Sequence, residues 1–258
     1  MKKFVAEFYR YRSLFVELVR KGIKLKYRRS YLGIMWSLIE PLLTMIVLTL
    51  VFGTLLGYNA KDFPVYILSG RLVYSLFSQA TTASLKSIRQ NQAMIKKVFV
   101  PKYMYPLSAI VFNYILFLIS LVVLCGVALV LGVYPTARTL LAVVPLLLLL
   151  LLSIGVGLIL SCLGTMFRDL EYLWNVGLML VMYACAIFYY PERILESRYY
   201  WLLSYNPLFC VIDNFRCCIF GQPMNTNELI YAALFSVVCI LVGSFIFARK
   251  QDKFILYV

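Results

Sequence analysis

Few side chains in this sequence are able to carry out acid–base, nucleophilic or metal chemistry. The 258 residues include no histidine and only 11 aspartates and glutamates. Without histidine, neither a Ser-His-Asp nor a Cys-His arrangement can form, and a zinc site loses its commonest ligand. The acids nearest to one another, Asp169 with Glu171 and Glu192 with Glu196, lie beside basic residues, which favours ion pairing. We therefore predict no catalytic site and no metal site.

The cysteines and glycines add no reactive motif. None of the seven cysteines forms a C-x-x-C pair, and most fall in apolar stretches, where a thiol acts as a small apolar group. No G-x-x-x-x-G-K-[ST] sequence occurs, so the chain lacks the P-loop with which ATPases bind phosphates. We expect this chain to bind no cofactor of its own.

The composition is that of an integral membrane protein. Hydrophobic residues make up 63% of the chain and the mean hydropathy is +0.87, against about 45–50% apolar residues in soluble domains. The formal charge of +14 does not indicate nucleic acid as a partner. The basic residues adjoin apolar stretches, as they do in the cytoplasmic loops of membrane proteins.

Six stretches are long and apolar enough to cross a bilayer as helices of about 20 residues. They are residues 37–56, 64–82, 105–131, 140–166, 172–188 and 229–247. Arg71, inside the second, must either reach out to the interface or face a polar interior. Gly155 and Gly157, inside the fourth, would let another helix approach closely. We predict an all-α transmembrane domain over residues 37–248.

Residues 1–36 form a basic arm ahead of the first span. Apolar residues such as Tyr11, Phe15 and Leu18 recur there at steps of three and four, and basic residues occupy another face. This pattern predicts an amphipathic helix in the membrane interface; the alternative is a helix packed on a soluble partner. The first twenty residues lack the apolar core of a cleavable signal peptide, so we expect the arm to be retained.

The basic residues predict the orientation in the membrane. With six crossings, 19 of the 25 lysines and arginines fall on one side, so both termini, including the tail at 249–258, are expected in the cytoplasm. Residues 84–102 lie on that side with five basic residues and no acid, and predict a short amphipathic helix ended by Pro101. Residues 189–227 lie outside, and their polar interruptions predict short re-entrant helices rather than a further span.

The composition of the span interiors favours a transporter driven by a separate energy-coupling protein. They hold almost no acidic residue, whereas carriers driven by ion gradients usually place acids or histidines in mid-membrane. An energy-coupling protein on the cytoplasmic side would need a rigid contact surface on this chain. The amphipathic segment at 84–102 is the natural candidate for that contact.

Four motifs resemble a known family. They are residues 26–42, KYRRSYLGIMWSLIEPL; residues 91–101, NQAMIKKVFVP; residues 167–170, FRDL; and residues 205–208, YNPL. Together they resemble the permease subunits of ATP-binding-cassette exporters that move polysaccharides and polyol phosphates, such as teichoic acids, across bacterial membranes. One departure is Glu40, where many relatives have asparagine before the proline; a carboxylate there would disfavour an anionic headgroup near the entrance.

The resemblance implies an assembly and a set of site residues. A homodimer of six-span subunits would sit on two copies of a separate ATPase, which holds ATP and Mg. The coupling helix would carry Gln90, Asn91, Gln92, Lys96 and Lys97, and outer gating helices would carry Asn206, Pro207, Asp213 and Arg216. Arg28 and Arg29 would receive the lipid headgroup at the entrance. Tyr74, Phe77, Trp174, Tyr183 and Phe188 are candidates to line a sugar channel, the alternative being lipid-facing belts or helix packing.

These expectations combine into one functional hypothesis with two rivals. The chain is expected to be the membrane subunit of an ATP-driven exporter of an undecaprenyl-type lipid-linked polymer, in the bacterial cytoplasmic membrane and in contact with its lipids. The first rival is a permease of the same architecture that exports a drug or a small lipid. The second is a membrane enzyme of the lipid-carrier glycan pathway, which would need acids arranged on one aqueous face.

Overall fold

The structure is a computed structural model that describes residues 9–28, 31–57, 60–97, 100–250 and Phe254. Every regular element in these ranges is a helix, which confirms the predicted all-α class. The α-helices are α1 Arg12–Tyr27, α2 Trp36–Leu56, α3 Phe63–Gln90, α4 Gln92–Ile95, α5 Met104–Val130, α6 Val143–Met166, α7 Leu170–Tyr183, α8 Glu192–Leu195, α9 Trp201–Ser204, α10 Pro207–Ile219 and α11 Thr226–Lys250. Short 3-10 turns, Gly33–Met35 and Ala137–Ala142, precede α2 and α6.

In the part of the chain that the structure describes, four helical segments are long and apolar enough to cross a membrane. They are Gly33–Leu55, Met104–Val130, Ala137–Met166 and Thr226–Lys250, which match the predicted first, third, fourth and last spans. The second predicted span corresponds to α3, which has 28 residues but carries a row of polar side chains. The fifth corresponds to α7, whose 14 residues rise only about 21 Å at 1.5 Å per residue. The crossing by these two helices stays a prediction.

The first span contains a proline whose missing hydrogen bond is compensated. Pro41 is the sixth residue of α2 and lies inside the helix. A proline has no N–H for the carbonyl four residues earlier, which belongs to Ser37. That carbonyl instead accepts a hydrogen bond from the Ser120 hydroxyl of α5 at 2.9 Å. The exchange ties the start of α2 to the middle of α5.

Small residues allow the central helices to approach closely, as predicted. A Cβ on Gly155 of α6 would lie 2.6 Å from Cys239 Cβ on α11, and a Cβ on Gly157 would lie 2.9 Å from Ser84 Oγ on α3. The Ser84 hydroxyl also donates to the Gly157 carbonyl at 2.9 Å. Helix α6 is therefore in near-backbone contact with a neighbour on each side.

The amphipathic arm packs on the chain itself. Its first eight residues lie outside the described ranges, and α1 runs along α5 with Gly22 against the Phe112 ring. Leu18 is buried in a cluster with Ile88 of α3 and Tyr103. Part of the apolar stripe covers the C-terminal end of α3 and the N-terminal end of α5, and its place in the membrane interface stays a prediction. The predicted end of the transmembrane domain at residue 248 falls inside α11, which continues to Lys250.

Two predicted helices have different limits in the structure. The fifth span was predicted to run to Phe188, but α7 ends at Tyr183 and a buried turn follows, in which Ala186 has a φ of 46°. The single short helix predicted over 84–102 is instead the last two turns of α3, a break at Asn91 and the four-residue α4. Both differences arise from side chains that bind backbone groups, as described below.

Candidate functional site

A polar cavity lies between the end of α1, the start of α2 and the middles of α3 and α5. Its lining includes Lys26, Glu40, Arg71, Ser75, Gln79 and Asn113. Arg71, Ser75 and Gln79 follow one another at steps of four, so they share one face of α3. The cavity of about 70 Å³ continues past Glu40 and Arg71 into a groove of about 390 Å³ that reaches Asn175 and Met182 of α7. The two spaces, which we call the polar cavity and the α7 groove, share one wall.

A chain of hydrogen bonds joins the arm to α3 in the polar cavity. The Lys26 ammonium donates to Gln79 Oε1 at 2.9 Å. Gln79 Nε2 in turn donates to Ser75 Oγ at 2.9 Å. The ammonium therefore keeps donors free for another acceptor, because a lysine carries three N–H groups.

Arg71 faces the polar interior, which decides between the two alternatives for this residue. Its guanidinium contacts neutral groups, the Met182 sulfur at 3.7 Å and the Tyr74 ring at 5.7 Å from the centroid. Within the described ranges, neither Arg71 nor Lys26 forms an ion pair with a carboxylate. Glu40, the one acid of the lining, is exposed to the groove.

The residues predicted at the headgroup entrance are only partly described. Arg28 is the exposed residue directly after α1, and Arg29 lies outside the described residues. The basic residue of the arm that turns into the polar cavity is Lys26, which the sequence did not single out. The repeat of Arg71, Ser75 and Gln79 at steps of four was the readable signal for this cavity.

The predicted channel aromatics take two kinds of position. Tyr74, Phe77 and Phe188 are buried within the single chain; the Tyr74 hydroxyl donates to the Leu178 carbonyl at 2.8 Å. Trp174 is half-buried against Phe77, and Tyr183 is exposed. Tyr74 is the one of the five that also lines the α7 groove. The assignment of a sugar-binding role to these residues stays a prediction.

The predicted coupling residues lie at the end of the molecule that holds the arm, on a segment that packs against the rest of the chain. Asn91 binds the Ser87 carbonyl through its side chain at 2.8 Å, where α3 breaks. Met94 and Ile95 of α4 pack against the apolar cluster that contains Leu18. The exposed residues beside them are Gln90, Gln92, Lys96 and Lys97. This segment is thus held on one face and accessible on the other.

An ion-pair network links α3 to α7 beside that segment. The Glu171 carboxylate, in the first turn of α7, pairs with Lys86 and accepts a hydrogen bond from Arg89 Nη2 at 3.0 Å. Hydrogen bonding from Lys86, together with the charges of Lys86 and Arg89, lowers the pKa of the Glu171 carboxyl. The bridge spans more than 80 residues of sequence, so it ties the FRDL turn to the end of α3.

Asn206 and Pro207 of the predicted outer gate form the start of α10. Asn206 Oδ1 accepts the backbone N–H of Leu208 at 3.1 Å, as an N-cap does, and Pro207 occupies the first position of the helix. Asn206 Nδ2 donates to the Ala184 carbonyl at 3.0 Å. The cap therefore also fixes the turn that follows α7.

Arg216 is the buried centre of the outer region, with Asp213 half-buried one turn before it. Its Nη1 donates to the Ala186 carbonyl at 3.0 Å and its Nη2 to the Tyr66 carbonyl at 3.2 Å. Its guanidinium carbon lies 3.5 Å from the centroid of the Tyr66 ring. A Cβ on Gly70 would overlap this guanidinium, so a larger residue there would have to displace it.

Tyr66 completes this contact and was not predicted from the sequence. Its hydroxyl lies 3.1 Å from the Ala186 carbonyl and 2.9 Å from the Tyr189 carbonyl and can donate to either. We call Tyr66, Arg216 and the turn around Ala186 the outer latch. Within the described ranges, no group of His, Cys, Asp or Glu side chains is arranged to hold a metal ion.

Comparison with known proteins places this geometry in one family. A sequence model of the ABC-2 type transporter matches residues 13–220. The O-antigen export system permease protein RfbA of Myxococcus xanthus is 28% identical over 98% of both chains, and that of Klebsiella pneumoniae is 28% identical over 94% of this chain and 93% of the relative. The polysialic acid transport protein KpsM of Escherichia coli is 23% identical over 91% of this chain and 92% of the relative. The chain belongs to the ABC-2 type transporter family.

Proposed function

We propose that this chain is the transmembrane subunit of an ATP-driven exporter that moves a lipid-linked cell-surface polysaccharide or teichoic acid across the bacterial cytoplasmic membrane. The observation that carries the proposal is the likeness over nearly the whole chain to permeases named for O-antigen and polysialic acid export. The α7 groove supports it, since an extended polar face beside membrane-length helices suits the passage of a hydrophilic chain.

The proposed assembly is a homodimer on two separate ATPase subunits, which bind ATP and Mg. Helix α2 buries almost nothing within the chain, and α7 buries only Leu178. These two helices border the α7 groove, so a second copy placed there would close the groove into a channel. The accessible Trp174 and Tyr183 of α7 would then face the dimer axis.

The proposed topology has six crossings with both termini in the cytoplasm. Leu18 of the arm and Phe254 beyond α11 belong to one apolar cluster, which supports a common side for the two ends. That side also holds α4 and its exposed lysines. In this arrangement α4 is the coupling helix that contacts the ATPase, and α8 to α10 form the outer gate.

The double substitution Lys96→Glu and Lys97→Glu tests the coupling role. Both side chains are exposed, so the chain should insert normally while its contact with the ATPase is lost. We expect polymer export to fall to background with unchanged amounts of the chain in the membrane. Lys61→Glu, an exposed lysine at the opposite end of α3, is the matched control and should export normally. Normal export by the double variant would contradict the coupling assignment.

Co-purification tests the function itself. A tagged chain extracted in mild detergent should bring a stoichiometric P-loop ATPase whose hydrolysis rises with lipid-linked polymer. Recovery of the chain alone from several gentle extractions would overturn the exporter proposal.

A further inference from the structure

An apolar pocket lies between α5, α6 and α10, at the end of α5 away from the arm. Its volume is about 200 Å³. Phe215 and Ile219 of α10 form one wall, and Ala142, just before α6, forms another. The remaining wall is one face of α5, whose lining residues follow one another at steps of three and four: Leu121, Leu124, Cys125, Ala128 and Leu129. We call this space the apolar pocket.

The apolar pocket opens toward the lipid. Cys125 and Leu129 of its lining are exposed on α5, which is long and apolar enough to cross a membrane. Val130 and Leu140, each next to a lining residue in the chain, are 85% and 80% exposed. Apolar side chains this accessible on membrane-length segments face the hydrocarbon of the bilayer. The pocket is therefore continuous with the lipid-facing surface of the molecule.

The lining suits an apolar ligand. Among the described residues that line the pocket, none is charged and one, Thr139, carries a hydroxyl. That hydroxyl already donates to the Cys218 carbonyl at 3.3 Å and accepts the Thr136 N–H at 3.0 Å. An apolar cavity of about 150 Å³ in a soluble protein stays empty of water and binds benzene. A larger pocket of the same character, open to the bilayer, favours a hydrocarbon chain.

The length of the pocket matches one leaflet. Leu121 and Leu129 are eight residues apart on α5, or about 12 Å along the helix axis. Half of the hydrocarbon core is about 15 Å. Because Leu129 lies one residue before the end of α5, the pocket begins near the headgroups and runs toward the membrane centre. One acyl chain lying along α5 has this length and direction.

The apolar pocket and the outer latch share α10. Phe215 and Ile219 line the pocket, and Arg216, next to Phe215 in the chain, is the centre of the latch. The turn before α6 is also tied to the end of α10, since Arg138 Nη1 donates to the Gly221 carbonyl at 2.7 Å. A filled pocket supports α10 from the side, whereas an empty one leaves its apolar side chains without dispersion contacts.

We propose that the apolar pocket binds one acyl chain of a bilayer lipid, from the leaflet on the side of the outer latch, and that the bound chain holds α10 in the position in which the latch is formed. The proposal is independent of the exporter function, because it concerns a lipid that stays in the membrane and not a transported polymer.

Photolabelling tests the occupant. The purified full-length chain is placed in vesicles of dioleoyl phosphatidylcholine that contain a phosphatidylcholine with a diazirine midway along one acyl chain, and adducts are mapped by mass spectrometry. We expect adducts on Cys125 and its neighbours in the pocket. Ala142→Leu and Ala128→Leu fill part of the pocket and should lower this labelling at least about tenfold, the equivalent of two buried methylene groups. Val238→Leu, exposed on α11, is the matched control and should be labelled like the wild type.

The reactivity of Cys185 tests the effect on the latch. This cysteine is fully buried in the turn whose Ala186 carbonyl Arg216 binds. In detergent without phospholipid, its reaction with a maleimide should be at least several times faster than after phosphatidylcholine is added back. The Ala142→Leu variant, whose own side chain occupies the pocket, should react slowly under both conditions.

Three results would overturn the proposal. Equal labelling of the pocket in the wild type and in both filled variants, with their melting temperatures unchanged, would place the acyl chain elsewhere. Cross-linking of Cys125 to Cys125 of a second copy in the vesicles, without lipid adducts in the pocket, would assign this surface to an interface between copies. A rate of Cys185 modification that does not respond to phospholipid would exclude the effect on the latch.

Discussion

Substitution of Glu171 by glutamine removes one charge from the bridge between α3 and α7 and keeps the shape of the side chain. The carboxylate is shared by Lys86 and Arg89. Its side chain is 28% exposed, and those of its partners are 33% and 25% exposed. The bridge is therefore screened by solvent, though less than a surface pair.

The expected loss of stability follows from these exposures. Each partly exposed ion pair contributes about 0.5–1 kcal/mol to the free energy of unfolding, so the loss of both pairs lowers it by about 1–2 kcal/mol. For a chain of this size, about 2–4 °C of melting temperature corresponds to 1 kcal/mol. We expect the Glu171→Gln variant to melt about 2–8 °C below the wild type at pH 7.5, in thermal unfolding of the purified protein in detergent.

The same bridge predicts a pH dependence with a defined sign. Because its partners lower the pKa of Glu171, the stabilisation is fully present above the pKa of an unfolded glutamate, about 4.3. It is lost as the pH falls through the lower pKa of the folded state. The wild type and the variant should therefore differ at pH 7.5 and converge as the pH falls through that lowered pKa.

The exposed Glu196 provides the control, since Glu196→Gln removes the same charge from a residue for which the structure shows no ion pair. The Glu196→Gln variant should have the same melting temperature as the wild type at every pH. Equal melting of wild type and Glu171→Gln at pH 7.5 would refute the reasoning, and so would a difference between them that persists unchanged into acid.

Two further substitutions test the helix contacts. Gly155→Ala places a Cβ 2.6 Å from Cys239 Cβ and should lower the free energy of unfolding by about 1–3 kcal/mol through overpacking, seen as a lower melting temperature. Gly126→Ala, whose Cβ meets open space, is the matched control. Equal melting temperatures of the two variants would contradict the close crossing of α6 and α11. Arg216→Gln should open the outer latch, so that the fully buried Cys185 reacts with a maleimide at least several times faster than in the wild type; an unchanged rate would show that the latch does not hold the turn.

The long apolar helices were predictable because each satisfies its own backbone and needs only a lipid environment. Helices α2, α5, α6 and α11 begin and end within three residues of the predicted spans. The close approach at Gly155 was also readable, since small residues in a span allow it.

The end of α7 was not predictable, because the residues after it are as apolar as the helix. Composition does not distinguish a helix that continues to Phe188 from a buried turn. The turn exists because Asn206, Tyr66 and Arg216 bind its carbonyls. Tyr66 is 120 residues away from Ala186, so no local pattern records this contact.

The break between α3 and α4 and the polar cavity were not predictable from the sequence, for similar reasons. Asn91 competes with the helix by binding the Ser87 carbonyl, whereas the amphipathic pattern of 84–102 runs through it. The sequence left open whether Arg71 reaches the interface or faces a polar interior. Only tertiary packing brings Lys26 and Glu40 to the same cavity.

Helix α3 has 28 residues and is about 42 Å long, so it reaches from the outer latch to the bridge at Glu171. Tyr66 near its N-terminal end and Lys86 near its C-terminal end are 20 residues apart, or about 30 Å along the axis. A tilt of about 5° around the midpoint at Leu76 would displace each of these positions by about 1.3 Å, in opposite directions. The Tyr66 carbonyl is bound to Arg216 at 3.2 Å, so such a displacement directed along that bond would stretch it beyond hydrogen-bonding range. The length of α3 would thereby couple the bridge at Glu171, near one of its ends, to the outer latch near the other.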